Sequence, residues 1–112
     1  PYQRADRVGD LIRRELAAIL QSEVKDPRIG FVSLTQVEVS PDLRQAKVYV
    51  SVYGSSEEQA SALEGLQSAS GFSRSLLGRR LRLKRIPELV FLTDPSIARG
   101  ARIHAAIANL KD

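Results

Sequence analysis

The stretch FVSLTQVEVSPDLRQAKVYVSVY, residues 31–53, decides the fold. Its second half, Gln45 to Tyr53, alternates apolar and polar residues without a break, which predicts a β-strand with one buried face. Its first half, Phe31 to Ser40, predicts another strand. The residues between them, Ser40 to Arg44, include the Ser, Pro and Asp that are typical of a tight turn. Together these features predict a β-hairpin.

The alternation changes phase in the middle of the first strand. Val32 and Leu34 occupy even positions, whereas Val37 and Val39 occupy odd ones. Because successive side chains point to opposite faces of a sheet, one face can hold all four only if an extra residue is inserted. We therefore predict a β-bulge near Thr35-Gln36.

Helical patterns lie on both sides of the hairpin. Apolar residues recur every three or four positions from Arg4 to Val24, which predicts an amphipathic helix. This helix should end before Asp26, because the residue that precedes a proline avoids helical geometry. After the hairpin, Ser55 followed three residues later by Glu58 predicts the capping box of a second helix.

The second helix is interrupted at residues 69–71, Ala-Ser-Gly. Glycine costs a helix interior about 1 kcal/mol relative to alanine. An apolar stripe follows the interruption and predicts another short helix, which ends before Pro87. The residues of this stripe are Phe72, Leu76, Leu77 and Leu81. We therefore predict two helices joined by a tight kink.

A third strand and a last helix complete the predicted order. Residues 88–94, ELVFLTD, are almost continuously apolar, as in the interior of a sheet. Ser96 can cap a helix over about residues 97–110. The chain is thus predicted to be α+β, with a three-stranded mixed sheet covered on one face by helices. Its 112 residues suit a single domain, with a core over about residues 4–94.

Positive charge is concentrated in one segment of the chain. The formal net charge is +4, but residues 72–87 contain six basic residues and no acidic one, so the rest of the chain sums to −2. The six residues are Arg74, Arg79, Arg80, Arg82, Lys84 and Arg85. On a continuous helix Arg74, Arg82 and Arg85 would share one face. Such a local patch predicts a phosphate-binding surface, and the alternative is a solvated helix face.

Further contacts with a phosphate backbone are predicted around this segment. At the kink, Ser70 and Gly71 would let a phosphate approach backbone N–H groups, and the alternative is that the turn needs a residue without Cβ. The basic surface would be widened by Lys25, Arg28 and Arg44, which could instead be merely solvated. Lys47 is a further candidate, beside Tyr49 and Tyr53.

Two tyrosines and a histidine were weighed as further candidates. Tyr49 and Tyr53 could stack on bases, although packing across the strands is the favoured interpretation for only two rings. His104 is the only histidine and the chain has no Cys, so no metal-ligand or triad spacing exists. We expect no catalytic residue, no metal and no cofactor.

Several motifs resemble the ribosome-binding factor A family over nearly the whole chain. They are DPRIG at 26–30, VSPDL at 39–43, AKVYV at 46–50, ASGF at 69–72, RSLLG at 74–78 and PEL at 87–89. The resemblance implies a KH-like type II fold, in which the family's Ala-x-Gly kink replaces the Gly-x-x-Gly loop of ordinary KH domains. It also implies a factor without catalysis that associates with the immature small (30S) ribosomal subunit and assists maturation and processing of 16S rRNA, notably in the cold.

The same resemblance gives the expected partners and location. These are the small ribosomal subunit and its 16S rRNA, with assembly GTPases as candidate additional partners, for a monomer in the cytoplasm. No apolar run approaches the roughly 20 residues that span a bilayer, so no membrane partner is expected. The alternatives are a generic KH-like module for single-stranded nucleic acid, an adaptor for an acidic protein, and an RNA-processing enzyme.

Overall fold

The computed structural model of this chain describes residues 2–94. Three helices and three strands follow one another in the predicted order. They are α1 (Tyr2–Ser22), β1 (Val32–Val39), β2 (Gln45–Val52), α2 (Ser56–Ser68), α3 (Ser70–Arg80) and β3 (Glu88–Thr93). The helix predicted over residues 97–110 lies outside the described residues.

The strands form one mixed sheet in the order β1-β2-β3. β1 pairs with β2 antiparallel, and β2 pairs with β3 parallel. A parallel neighbour cannot be reached through a tight turn, so α2 and α3 provide the crossover. The predicted three-stranded mixed sheet and α+β class are confirmed.

The predicted bulge is also confirmed. The register of β1 against β2 shifts between Leu34 and Gln36, which leaves Thr35 as the extra residue. The Thr35 hydroxyl oxygen lies 3.1 Å from the carbonyl oxygen of Tyr49 and 2.5 Å from a carboxylate oxygen of Asp94. The inserted residue thereby connects β1 to β2 and to the end of β3.

The core lies between α1 and the sheet. Ile12, Leu16 and Ile19 are spaced four and three residues apart on α1 and are fully buried. They pack with the alternate residues of β2, which are also fully buried: Ala46, Val48 and Val50. Burial of each such aliphatic side chain contributes about 1.5–3 kcal/mol, so this contact fixes how α1 lies on the sheet.

The N-terminus of α2 carries the predicted capping box. The Ser55 hydroxyl accepts from the backbone N–H of Glu58, and the backbone N–H of Ser55 donates to the Glu58 carboxylate at 3.0 Å. These hydrogen bonds favour the ionised carboxylate and lower the pKa of Glu58 below its ordinary value. The cap fixes where the crossover begins.

Two predictions about α3 are wrong. The helix ends at Arg80, because the backbone of Leu81 is already extended. Phe72 does not join the core but is 51% exposed. It lies five residues before the buried Leu77, which is about 140° around a helix, so α3 turns Ser73 and Leu77 inward and Phe72 outward.

Candidate nucleic-acid interface

Within the basic segment, the Arg74 side chain points toward the protein rather than toward solvent. Its guanidinium donates to the backbone carbonyl of Pro87 at 3.1 Å and to that of Ile86 at 2.9 Å. Arg74 therefore ties the chain before β3 back against α3. The expectation that Arg74, Arg82 and Arg85 share one helix face is wrong, since the helix ends before residue 82.

Arg80 connects α3 to α1. Its guanidinium lies 3.4 Å from the carboxylate of Glu15 and 3.9 Å from that of Glu23. All three side chains are partly exposed, so solvent screens these pairs and their contribution to stability is small. They nevertheless leave Arg80 less available to a phosphate than its neighbours.

The remaining four basic residues form the exposed part of the site, which we call the cationic segment. They are Arg79, Arg82, Lys84 and Arg85. Each side chain is exposed, and none has an ion-pair partner among residues 2–94. Four cations without an ion-pair partner in the described range are thus concentrated at the C-terminus of α3 and in the loop that follows it.

Arg44 lies next to this loop, although it is remote in sequence. The backbone N–H of Glu88 donates to the carbonyl of Arg44 at 2.9 Å, which holds the hairpin turn beside the start of β3. The Arg44 side chain is exposed. The fold therefore brings this predicted site residue close to the end of the basic run.

Two other predicted cations are placed differently. The Arg28 guanidinium donates to the Asp26 carboxylate at 2.7 Å, and this contact lowers the pKa of Asp26 below its ordinary value. Arg28 is therefore locally neutralised. Lys47 is exposed on β2, where it pairs in register with Glu38 of β1. The structure does not join either residue to the cationic segment by a contact.

The kink begins α3 next to an exposed glycine. Ala69 separates α2 from α3, Ser70 is half-buried and Gly71 is exposed. The backbone of Gly71 is not in the left-handed region, and a Cβ built there meets nothing within 4 Å. In contrast, a Cβ at Gly65 would lie 3.1 Å from the side chain of Ile29. Neither backbone geometry nor packing within the described part of the chain requires glycine at position 71.

Two exposed aromatic rings, those of Phe31 and Phe72, were not among the candidates taken from the sequence. Tyr49 is half-buried on β2, whereas Tyr53 is 88% exposed and Phe31, across from it, is 87% exposed. Phe72 is the third exposed large apolar residue of residues 4–94. Phe72 and Leu77 lie about 140° apart around the helix, and this angle could have predicted that Phe72 points outward. The prediction instead grouped Phe72 with the apolar stripe that includes Leu77.

Residues 2–94 hold no group of three or more His, Cys, Asp or Glu side chains placed to bind a metal ion. In the same range, no helix is both long and apolar enough to cross a membrane. His104 lies outside the described residues.

Known proteins are similar to this chain over nearly its whole length. The family described as ribosome-binding factor A matches residues 4–107. A ribosome-binding factor A from Halothermothrix orenii is 49% identical over 110 residues, which cover 98% of this chain and 90% of that protein. One from Thermomicrobium roseum is 52% identical over 103 residues, which cover 92% and 80%.

Solved structures agree with these sequence matches. The crystal structure of ribosome-binding factor A from Thermus thermophilus superposes with a TM-score of 0.70 at 30% identity, covering 80% of this chain and 94% of that one. A homology model of the Thermus thermophilus protein, fitted into the cryo-EM map of a complex with 30S, gives a TM-score of 0.63 at 32% identity. That match covers 75% of this chain and 88% of the other.

Proposed function

The chain belongs to the ribosome-binding factor A family, and on that premise we propose that it binds the small ribosomal subunit by placing its cationic segment on 16S rRNA. The observation that carries this proposal is the set of four exposed cations without ion-pair partners among residues 2–94. Arginine forms bidentate contacts with phosphate, and three of the four are arginines. The fit of a Thermus thermophilus relative into the map of a 30S complex supports the choice of partner.

The proposed mechanism is binding without catalysis. The cationic segment neutralises phosphates, while the open backbone at Gly71 lets the RNA approach the start of α3. If the surface fits only the immature arrangement of 16S rRNA, binding stabilises that arrangement and biases maturation and processing. We assign Arg74 to positioning the loop before β3, and Arg80 to the contact between α3 and α1.

Family membership also supports the remaining parts of the proposal. The chain acts in the cytoplasm as a monomer, with its largest effect on subunit maturation in the cold. Assembly GTPases are candidate additional partners. Comparing 16S rRNA precursors in cells with and without the protein at low temperature tests the maturation role, which predicts precursor accumulation in its absence.

A charge-reversal variant tests the binding surface. We expect Arg79→Glu, Arg82→Glu and Arg85→Glu together to abolish co-sedimentation with small subunits, because three attractive charges become repulsive toward phosphate. A matched control reverses Arg7, Arg13 and Arg14, which are exposed on α1. The control has the same net charge and should retain co-sedimentation.

Arg80 is left unchanged in this variant for a structural reason. A carboxylate at position 80 would face those of Glu15 and Glu23, so a loss of binding could reflect unfolding. Equal co-sedimentation of the variant and the control would contradict the proposed surface. Binding that survives nuclease treatment would indicate an acidic protein partner, and tight binding to short unstructured oligonucleotides would indicate a generic KH-like module.

A further inference from the structure

Phe72 forms one wall of a shallow groove at the kink. The groove has a volume of about 250 Å³ and is bordered by the end of α1, the loop after it and the junction of α2 with α3. Its lining residues are Glu23, Val24, Lys25, Asp26, Ser68, Ala69 and Phe72. About half of the Phe72 side chain is exposed (51%), so the ring has apolar surface that the described fold leaves uncovered.

The position of Phe72 links this groove to the cationic segment. Phe72 and Arg79 are seven residues apart on α3, which places them on nearly the same side of the helix and about 10.5 Å apart along its axis. Both are exposed. Gly71, whose missing Cβ leaves open space, is the immediate neighbour of the ring. α3 thus presents in succession an open backbone, an aromatic ring and a guanidinium that has no ion-pair partner among residues 2–94.

The charges around the groove favour an anionic ligand. The two carboxylates that line it have cationic neighbours, since Asp26 is paired with Arg28 at 2.7 Å and Glu23 lies 3.9 Å from Arg80. Lys25 is exposed and has no ion-pair partner among residues 2–94. A phosphate of an RNA chain that passes Phe72 therefore meets Lys25, while Asp26 is neutralised by Arg28 and Glu23 shares Arg80 with Glu15.

We infer that Phe72 is a stacking platform for one unpaired base of the bound RNA, with the cationic segment holding phosphates beside it. Aromatic rings flanked by cations are the usual means by which proteins hold single-stranded nucleotides. This inference rests on the proposed function and adds that the bound rRNA is unpaired at the kink. An apolar protein segment is the competing occupant, but it would gain nothing from the unpaired Arg79 and Lys25.

Two substitutions at Phe72 separate stacking from simple apolar contact. Stacking predicts that Phe72→Ala weakens small-subunit binding roughly 5- to 150-fold. Phe72→Leu should lose nearly as much affinity, because leucine fills similar space without an aromatic face. Phe72→Tyr should bind like the parent. Because Phe72 is half-exposed, each variant should keep the parent's melting temperature within a few degrees, which thermal unfolding checks.

A fluorescent reporter gives an independent measurement. The chain contains no tryptophan, so Phe72→Trp introduces a single one. Titration with transcribed 16S rRNA, which adds no tryptophan, should quench this fluorescence through stacking. Phe31→Trp is the matched control, since Phe31 is 87% exposed on a different element and reports absorption by the RNA alone.

The outcomes distinguish this inference from the proposed function. Full binding by Phe72→Leu would overturn stacking and indicate an apolar protein contact. Equal fluorescence changes at positions 72 and 31 would also overturn it, even if the charge-reversal variant loses binding and the proposed surface stands. If the charge-reversal variant binds normally while the Phe72 variants lose affinity, the proposed surface fails and the aromatic contact remains.

Discussion

Among single residues, Gly71 is the one at which the requirements of folding and of RNA binding are expected to differ most. Glycine is unfavourable in a helix, and neither its backbone geometry nor a neighbouring atom in the described range requires it. A further physical reason for a residue without Cβ is the close approach of something outside the described residues. In our account that approach is made by the RNA backbone at the start of α3.

Substitution of Gly71 by Ala should therefore have opposite effects on folding and on binding. We expect Gly71→Ala to raise the free energy of unfolding by up to about 1 kcal/mol, because alanine favours the helix. The same change should weaken small-subunit binding, because the new methyl group occupies the path of the RNA. Urea unfolding and subunit affinity measure the two effects.

Gly65, which lies in α2, provides the control. A Cβ at Gly65 would lie 3.1 Å from Ile29 and 3.3 Å from the side chain of Arg28, so Gly65→Ala should destabilise the fold. If Gly71→Ala binds subunits as tightly as the parent, RNA does not approach the backbone at this position.

At the scale of secondary-structure elements, α3 and the loop after it depend on Arg74. Its two hydrogen bonds to backbone carbonyls hold the chain that leads from the cationic segment into β3. Hydrogen bonds that involve a charged group contribute about 1.5–3 kcal/mol each. Arg74 therefore supports the loop that carries the proposed RNA-binding surface.

Replacing Arg74 should change stability much more than replacing an exposed neighbour. We expect Arg74→Ala to lower the free energy of unfolding by on the order of 2–4 kcal/mol, since two carbonyls lose a charged donor. Arg74→Lys should restore only part of this, because an ammonium lacks the planar fork. Arg79→Ala should stay within about 0.5 kcal/mol of the parent. Chemical denaturation would contradict this role if the two alanine variants were equally stable.

The sequence predicted correctly the features that depend on residues close together in the chain. The phase change at Thr35 located the bulge, and Ser55 with Glu58 located the start of α2. The end of α3 was missed because sequence signals allow a helix as far as Pro87, whereas the chain turns at Leu81 to enter the sheet. The predicted helix face therefore does not exist as one surface.

Contacts between residues remote in sequence decided the rest of the site. Arg80 faces Glu15, which precedes it by 65 residues. No local sequence pattern predicts this pair. Arg44 is brought to the basic run by the pairing at the start of β3. The sequence thus predicted a basic RNA-binding region, while the fold decided which of its cations have no ion-pair partner among residues 2–94.

In the molecule as a whole, the core between α1 and the sheet determines where the cationic segment lies on the surface. Burial of Leu77 in the core that α1 forms with the sheet fixes α3, and the cationic segment follows from where α3 ends. The resulting surface is local rather than spread over the protein, since the chain outside residues 72–87 sums to −2. Binding should accordingly depend on a few defined cations.

The salt dependence of small-subunit affinity tests this claim most directly. With four cations on phosphates, the slope of log affinity against log salt concentration should be on the order of −3. In a variant with Arg79, Arg82 and Arg85 changed to Ala, one cation remains and the slope should fall to about −1. An unchanged slope in that variant would contradict the assignment of 16S rRNA binding to the cationic segment.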